Sequence, residues 1–223
     1  MNISISPNLE NIRNLMSASA KKSDRQLSDI ALVAVTKNVS VELINEAIEL
    51  GITDIGENRV QEFLAKEEFL LPSNRHLIGH LQRNKVRQIV GKVNLIHSVD
   101  SIALLREIDT AAEKRGIVQD ILMQINVSGE EQKFGMPPEI VNEFVDEAET
   151  LGNVSLRGVM TIPPLTDDVG LLRDIFLRTR EIFDGIVKPQ FNILSMGMSN
   201  DFQIAVECGA NMVRIGSRLF KQD

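Results

Sequence analysis

The chain has 223 residues, 43% of them hydrophobic and 25% charged, with a net charge of −7. That length supports one sizeable core, and the acidic balance argues against a general polyanion-binding role. A single cysteine, Cys208, excludes an internal disulfide and fits a reducing compartment; tryptophan and tyrosine are both absent, which narrows the acid–base groups on hand.

The start, MNISISPNLE, lacks a basic region followed by an apolar one, so no signal peptide is expected. No apolar run approaches the ~20 residues of a membrane span, and a cytoplasmic location is the expectation. From Pro7 onward, the spacing of Leu9, Ile12, Leu15 and Met16 predicts an amphipathic helix. Strand-like runs follow at 31–36, 53–56, 76–79, 94–98, 120–127, 156–162, 191–195 and 212–216. Helical segments separate them. In SVELINEAIELG, Ser40 is the expected N-cap and Gly51 the stop. In PPEIVNEFVDEAETLG, prolines open the helix and Gly152 follows its end. IPPLTDDVG reads as a loop after strand six. Strict alternation implies a parallel sheet, because parallel strands need crossover connections. The pattern predicts a single α/β domain over 1–223: a closed (β/α)8 barrel of the TIM type with an extra N-terminal helix. An open doubly wound sheet is the alternative, but no G-x-G-x-x-G follows the first strand.

In such a barrel the chemistry lies at the C-terminal ends of the strands. Lys37 ends strand one and GENR, residues 56–59, ends strand two. SMGMSN follows strand seven and RIGS strand eight, the usual phosphate site of this fold. Ser195, Gly197 and Ser199 offer hydroxyls and close backbone approach, and Gly216 and Ser217 open the last helix. Taken singly, each is also readable as a turn and nothing more. A lysine aimed into the barrel mouth is costly unless paired or neutral. Burial would leave a neutral amine, the form that attacks a carbonyl. Opposite a phosphate cradle, such an amine points to a phosphorylated aldehyde; the competing reading is a strand-end lysine that reaches water. Arg214 shares the pleat face of Gly216 and needs an acceptor. A pyridine nitrogen or a carboxylate would serve, as would a barrel glutamate such as Glu57 or Glu207.

The pieces AVTK, IGENRVQE, HLIGHLQRNK, HSVD, QINVSGEEQKFG, RGVMTIPP, LSMGMSNDF and VRIGSRLF run in order along nearly the whole chain. Together they resemble the pyridoxal-phosphate homeostasis proteins, whose fold is similar to the N-terminal barrel of alanine racemase. The resemblance implies that Lys37 holds pyridoxal 5′-phosphate (PLP) as a Schiff base. It implies phosphate contacts from Ser195, Met196, Ser199, Gly216 and Ser217, a ring-nitrogen contact from Arg214, and a lining role for Asn58 and Met160. It further implies a carrier or regulator of PLP without established turnover, in transient contact with PLP-dependent enzymes. The residues after the lysine, NVS, lack the proline often found there. Alanine racemase adds a second domain and opposes its lysine with a tyrosine base, which a chain without tyrosine cannot supply. The alternatives are a lysine Schiff-base lyase or aldolase acting on a phosphorylated sugar without PLP, and a PLP-dependent amino-acid enzyme on the same barrel.

Other features read more plainly. His76, His80 and His97 fit no zinc spacing, so no metal is expected. His80 is placed at the mouth and His76 in strand packing. Cys208 reads as a small core residue. Arg83, Lys85, Arg87 and Lys92 have no interleaved aromatics and read as a solvated face rather than a nucleic-acid patch. In GEEQKFG, residues 129–135, Lys133 is the only cation. It is a candidate for drawing in or releasing an anionic ligand, against a plain loop ion pair.

Overall fold

Short aliphatic strands with a side-chain period of two can be buried on both faces only if something covers each face, and a barrel achieves this with helices outside and side chains within. The computed structural model describes residues 5–130 and 132–221. Residues 1–4, part of the segment read for a signal peptide, and Glu131 of the 129–135 loop lie outside them. The strands are β1 (Ala31–Val35), β2 (Asp54–Glu57), β3 (Asn74–Leu77), β4 (Leu95–Val99), β5 (Gln119–Gln124), β6 (Val154–Met160), β7 (Ile193–Ser195) and β8 (Met212–Ile215). Neighbours pair in parallel and β1 pairs with β8, so the sheet closes in chain order. This is the predicted (β/α)8 barrel.

Alternation along the strands produces two cores. Val33, Leu95, Leu122, Met160 and Met212 form a compact cluster of their own, the barrel interior. Their chain neighbours Ala34, Ile96, Ile121, Val159 and Val213 join the large core shared with the helices. Those helices are α1 (Ser6–Lys21), α2 (Val41–Glu49), α3 (Val60–Lys66), α4 (Val86–Ile89), α5 (Ile102–Glu113), α6 (Val141–Thr150), α7 (Val169–Asp184), α8 (Phe202–Glu207) and α9 (Ser217–Phe220). The predicted extra helix is α1. It buries Leu9, Ile12 and Met16 and packs on α8 and α9, each side chain contributing roughly 1.5–3 kcal/mol. Among the described residues no helix is long and apolar enough to cross a membrane.

Local signals hold where a side chain caps the backbone. Ser40 accepts from the Leu43 N–H at the start of α2, and Gly51, at φ +87°, ends it. The prolines before α6 instead form one tight turn, Pro138–Ile140, and the helix starts at Val141. The third strand spans 74–77 rather than 76–79. A Cβ on Gly79 would stand 2.2 Å from the Asn58 carbonyl oxygen, so a glycine is needed where the loop after β2 crosses that point. The fifth strand stops at Gln124 rather than 127; Ile125 still donates its N–H to the Met160 carbonyl and makes an isolated bridge to Met136. Both differences give more backbone to the loops at the mouth. Below the mouth, Gly158 of β6 lets β7 come close: a Cβ there would meet the Ile193 carbonyl oxygen at 1.8 Å.

Candidate functional site

Lys37 sits just past β1, and its two chain neighbours are held by one ion cluster. The Lys66 ammonium, at the end of α3, has three acceptors for its three N–H groups. They are the Thr36 carbonyl at 2.9 Å, Glu57 Oε2 at 3.0 Å and Glu62 Oε1 at 2.9 Å. The Thr36 hydroxyl donates to Glu57 Oε2 at 3.0 Å, and Glu62 Oε1 accepts from the Asn38 N–H at 2.6 Å. Asn38 adopts φ +57°, a left-handed conformation that asparagine tolerates better than most residues. Lys37 is not buried in this geometry. Thr36 is the last residue packed inside, the chain turns at Asn38, and Lys37 is exposed at the rim.

The rim opens on a cavity of about 470 Å³ at the C-terminal ends of the strands. Of the residues singled out from sequence, Lys37, Asn58, Ser199, Arg214, Gly216 and Ser217 line it. Met160, Ser195 and Met196 are fully buried and are not part of its lining. Strand register accounts for this. Met160 pairs with Ser195, and Ser195 with Met212, a layer beneath Arg214 and Gly216. Met196 belongs to the outer core.

The two loops expected to take a phosphate are tied together. The Ser199 hydroxyl accepts from the backbone N–H groups of Gly216 and Arg218, each at 3.4 Å. At Gly216 a Cβ would stand 3.0 Å from Val35 Cβ and 3.2 Å from its carbonyl oxygen, so the glycine lets the chain after β8 pass close to the end of β1.

Arg214 is buried in the wall. Its Nη1 donates to Ser195 Oγ at 2.6 Å and its Nη2 to the Thr161 carbonyl at 2.9 Å. Burial lowers its pKa to about 10, partly offset by the Asp201 carboxylate, so it stays charged at neutral pH. Burial in turn pushes the Asp201 carboxyl above its ordinary range. The glutamates weighed as partners for Arg214 are engaged elsewhere: Glu57 with Lys66, and Glu207 with Lys22 and Arg173.

His76 and His97 meet, Nδ1 to Nε2, at 2.9 Å inside the barrel. His80 stands apart at the rim, stacked on Phe134 and bonded to Asp100. His97 is fully buried, and that burial, with His76 and Arg214 nearby, holds its pKa well below 6.5. The unfolded chain therefore binds a proton near pH 6.5 that the folded chain refuses. This contribution is fully present above that pH and is lost as pH falls, by at most about 1.4 kcal/mol per unit. In urea titrations from pH 7.5 to 5, the wild type should lose stability more steeply than His97→Gln. Parallel slopes would show that His97 takes up its proton in the fold.

Sequence reasoning missed the Glu57–Lys66–Glu62 cluster, although Glu62 and Lys66 stand four apart on a helix, the spacing of an ion pair. Lys133 lines the cavity with its Nζ 3.3 Å from Glu130 Oε1. That contact is an ion pair without hydrogen-bond geometry, and among the described residues neither Lys133 Nζ nor the buried Asn58 Oδ1 has a hydrogen-bond partner. The basic cluster is partly neutralised, Lys92 by Glu67 and Arg87 by Glu107. Cys208 is buried just after α8, its thiol pushed up by that burial.

Residues 8–223 match the family described as alanine racemase, N-terminal domain. The chain is 46% identical over 195 residues to the "Pyridoxal phosphate homeostasis protein" of Aquifex aeolicus, covering 85% of each. PipY of Synechococcus elongatus, solved with PLP bound, is 32% identical with a TM-score of 0.82, over 97% of this chain and 99% of PipY. Alanine racemase of Clostridium difficile aligns at a TM-score of 0.78 over 99% of this chain and 56% of its own, at 18% identity, a likeness of fold.

Proposed function

The chain belongs to the pyridoxal phosphate homeostasis protein family, built on the alanine racemase N-terminal domain, and from that premise we propose that its single barrel domain binds PLP as a Schiff base on Lys37 and serves PLP homeostasis as a carrier or regulator. It acts in the cytoplasm, in transient contact with PLP-dependent enzymes. One observation carries the reading: a rim amine, two tied phosphate-type loops and a buried guanidinium open on the same cavity. A relative of the same fold that holds PLP supports it.

The residues present fit the group. Hydrogen bonds of 3.4 Å to the Ser199 hydroxyl are long, and a phosphate oxygen is a stronger, charge-assisted acceptor for the same N–H groups. Ser217 opens α9 beside them. Arg214 uses two of its five N–H groups within the protein, leaving donors for the ring nitrogen. Asn58 Oδ1 offers an acceptor to a ligand hydroxyl. Ser195 and Met160 act from beneath, Ser195 by fixing Arg214, while Met196 packs in the outer core behind β7. Bound PLP would supply an electrophilic aldehyde carbon, and its ring conjugated to that carbon would absorb visible light once joined to the lysine amine. A guanidinium at the ring nitrogen would leave that nitrogen unprotonated and the ring a weaker electron sink, which disfavours transaminase-like chemistry without forbidding proton abstraction. The test is the visible spectrum after adding PLP, before and after borohydride reduction. A yellow protein bleached by reduction is expected; a colourless one with no reduced product would overturn the reading.

Lys133 adds a second cation at the mouth. It steers the anionic ligand in and out without joining it covalently, so Lys133→Ala should change PLP association or release rates at low salt. The difference should fade with ionic strength, because at 0.1 M salt charges more than ~10 Å apart are largely screened. Stopped-flow traces identical in variant and wild type at every salt concentration would leave Lys133 as a loop ion pair with Glu130.

A further inference from the structure

We propose that Asp54, His76, His97 and Ser195 form a one-way chain of hydrogen bonds across the barrel interior that positions Arg214, so that the ligand's ring contact is set from the opposite end of the barrel. The link to the ligand rests on the reading of Arg214 as ring-nitrogen donor; the chain itself does not.

Asp54 Oδ1 lies 3.0 Å from His76 Nε2, His76 Nδ1 lies 2.9 Å from His97 Nε2, and His97 Nδ1 lies 3.1 Å from Ser195 Oγ. Arg214 Nη1 completes the chain at 2.6 Å from the same hydroxyl. The path crosses from β2, β3 and β4 to β7 and β8. Every member but Asp54 is buried. Asp54, at the first position of β2, lines a second cavity of about 470 Å³ with Ala31, Ile193 and Asn211, beside the N-terminal ends of the strands. The charged groups facing the chain are Asp54 at one end and Arg214 at the other, with Asp201, at the start of α8, facing Arg214, and the paired Glu57 and Lys66, which line a small pocket with His76.

The two ends dictate every proton between them. A guanidinium only donates, so the Ser195 oxygen accepts from Arg214; the Asp54 carboxylate only accepts, which with neutral imidazoles leaves His97 Nδ1 bare to take the Ser195 proton. His97, neutral in its buried site, then carries its proton on Nε2 and donates to His76 Nδ1. The N–H of His76 is left on Nε2, facing the Asp54 carboxylate, which only accepts. A proton added to His76 would fill its Nδ1, turn His97 to the other tautomer and take from Ser195 its acceptor. Ser195 and the Thr161 carbonyl together fix the plane of the guanidinium, so His76 and His97 are positioning residues for the ring contact.

Long-range ¹⁵N–¹H NMR of the wild-type protein without PLP reads the tautomers directly, and needs no variant to fold. Both imidazoles should show a bare Nδ1 and a protonated Nε2 at pH 7.5. A protonated Nδ1 on either ring would overturn the chain. PLP titrations then read the link. His97→Phe should weaken PLP binding ~10-fold, about the worth of one buried hydrogen bond, with affinity for inorganic phosphate unchanged, and His97→Gln should recover part of the loss. In an Arg214→Met background His97→Phe should have no further effect, and an undiminished effect there would overturn the positioning role. Should Arg214→Met alone leave PLP affinity intact, the ring-nitrogen reading fails while the tautomer result still reports on the chain.

Discussion

Lys37→Ala should abolish the covalent PLP adduct while leaving the barrel intact. Lys37 is exposed, and the residues clamped by Lys66, Glu57 and Glu62 are its neighbours Thr36 and Asn38, through backbone groups and the Thr36 hydroxyl. Truncating it therefore falls among surface changes, within about ±0.5 kcal/mol of wild-type stability. Noncovalent affinity persists, because the loops at Ser199, Gly216 and Ser217 and the Arg214 guanidinium are untouched. Mass spectrometry after borohydride reduction is the measurement. Wild type should carry one phosphopyridoxyl group on the Lys37 peptide, and the variant none. Lys133 is the other lysine on the cavity wall. Finding the wild-type label there, or an undiminished label in the variant, would remove Lys37 from its assigned role.

The barrel was legible because its signals are local and repeated. Eight aliphatic runs alternate with helical segments, and each repeat makes the same statement about parallel pairing. The mouth was legible in part, since strand ends mark where loops begin. What sequence could not give is depth. Ser195 and Ser199 stand four residues apart and look equivalent in LSMGMSN. Only the register of β7 against β6 and β8 puts Ser195 a layer below the cavity and Ser199 in its wall. Lys37 fails in the opposite sense. A strand ending in a lysine predicts an amine buried in the mouth, but Lys37 is exposed at the rim, just before the left-handed turn at Asn38. His76 and His97 lie 21 residues apart on neighbouring strands, and nothing in their spacing shows that they share a hydrogen bond. Relations across the barrel depend on closure and stagger, which no window of sequence contains.

Arg214→Ala should leave the adduct formed and make it looser, with a second, separable effect on the fold. The guanidinium is a charged donor buried in the cavity wall. A hydrogen bond from a charged group contributes roughly 1.5–3 kcal/mol net, so PLP affinity should fall by about one to two orders of magnitude. Stability responds to opposing terms. The variant leaves Ser195 Oγ and the Thr161 carbonyl without their donor, about 1–3 kcal/mol for a buried unsatisfied group. It also removes a desolvated charge, which offsets part of that loss. Arg214→Lys separates the two. It keeps the charge but has no planar fork to hold Ser195 and Thr161 together, so it should recover stability in part and affinity little. The fraction of protein carrying the reduced adduct on Lys37 at saturating PLP should be unchanged in both variants, because the amine is untouched. Unchanged PLP affinity alongside reduced stability would make Arg214 a structural arginine and leave the ring nitrogen without its donor.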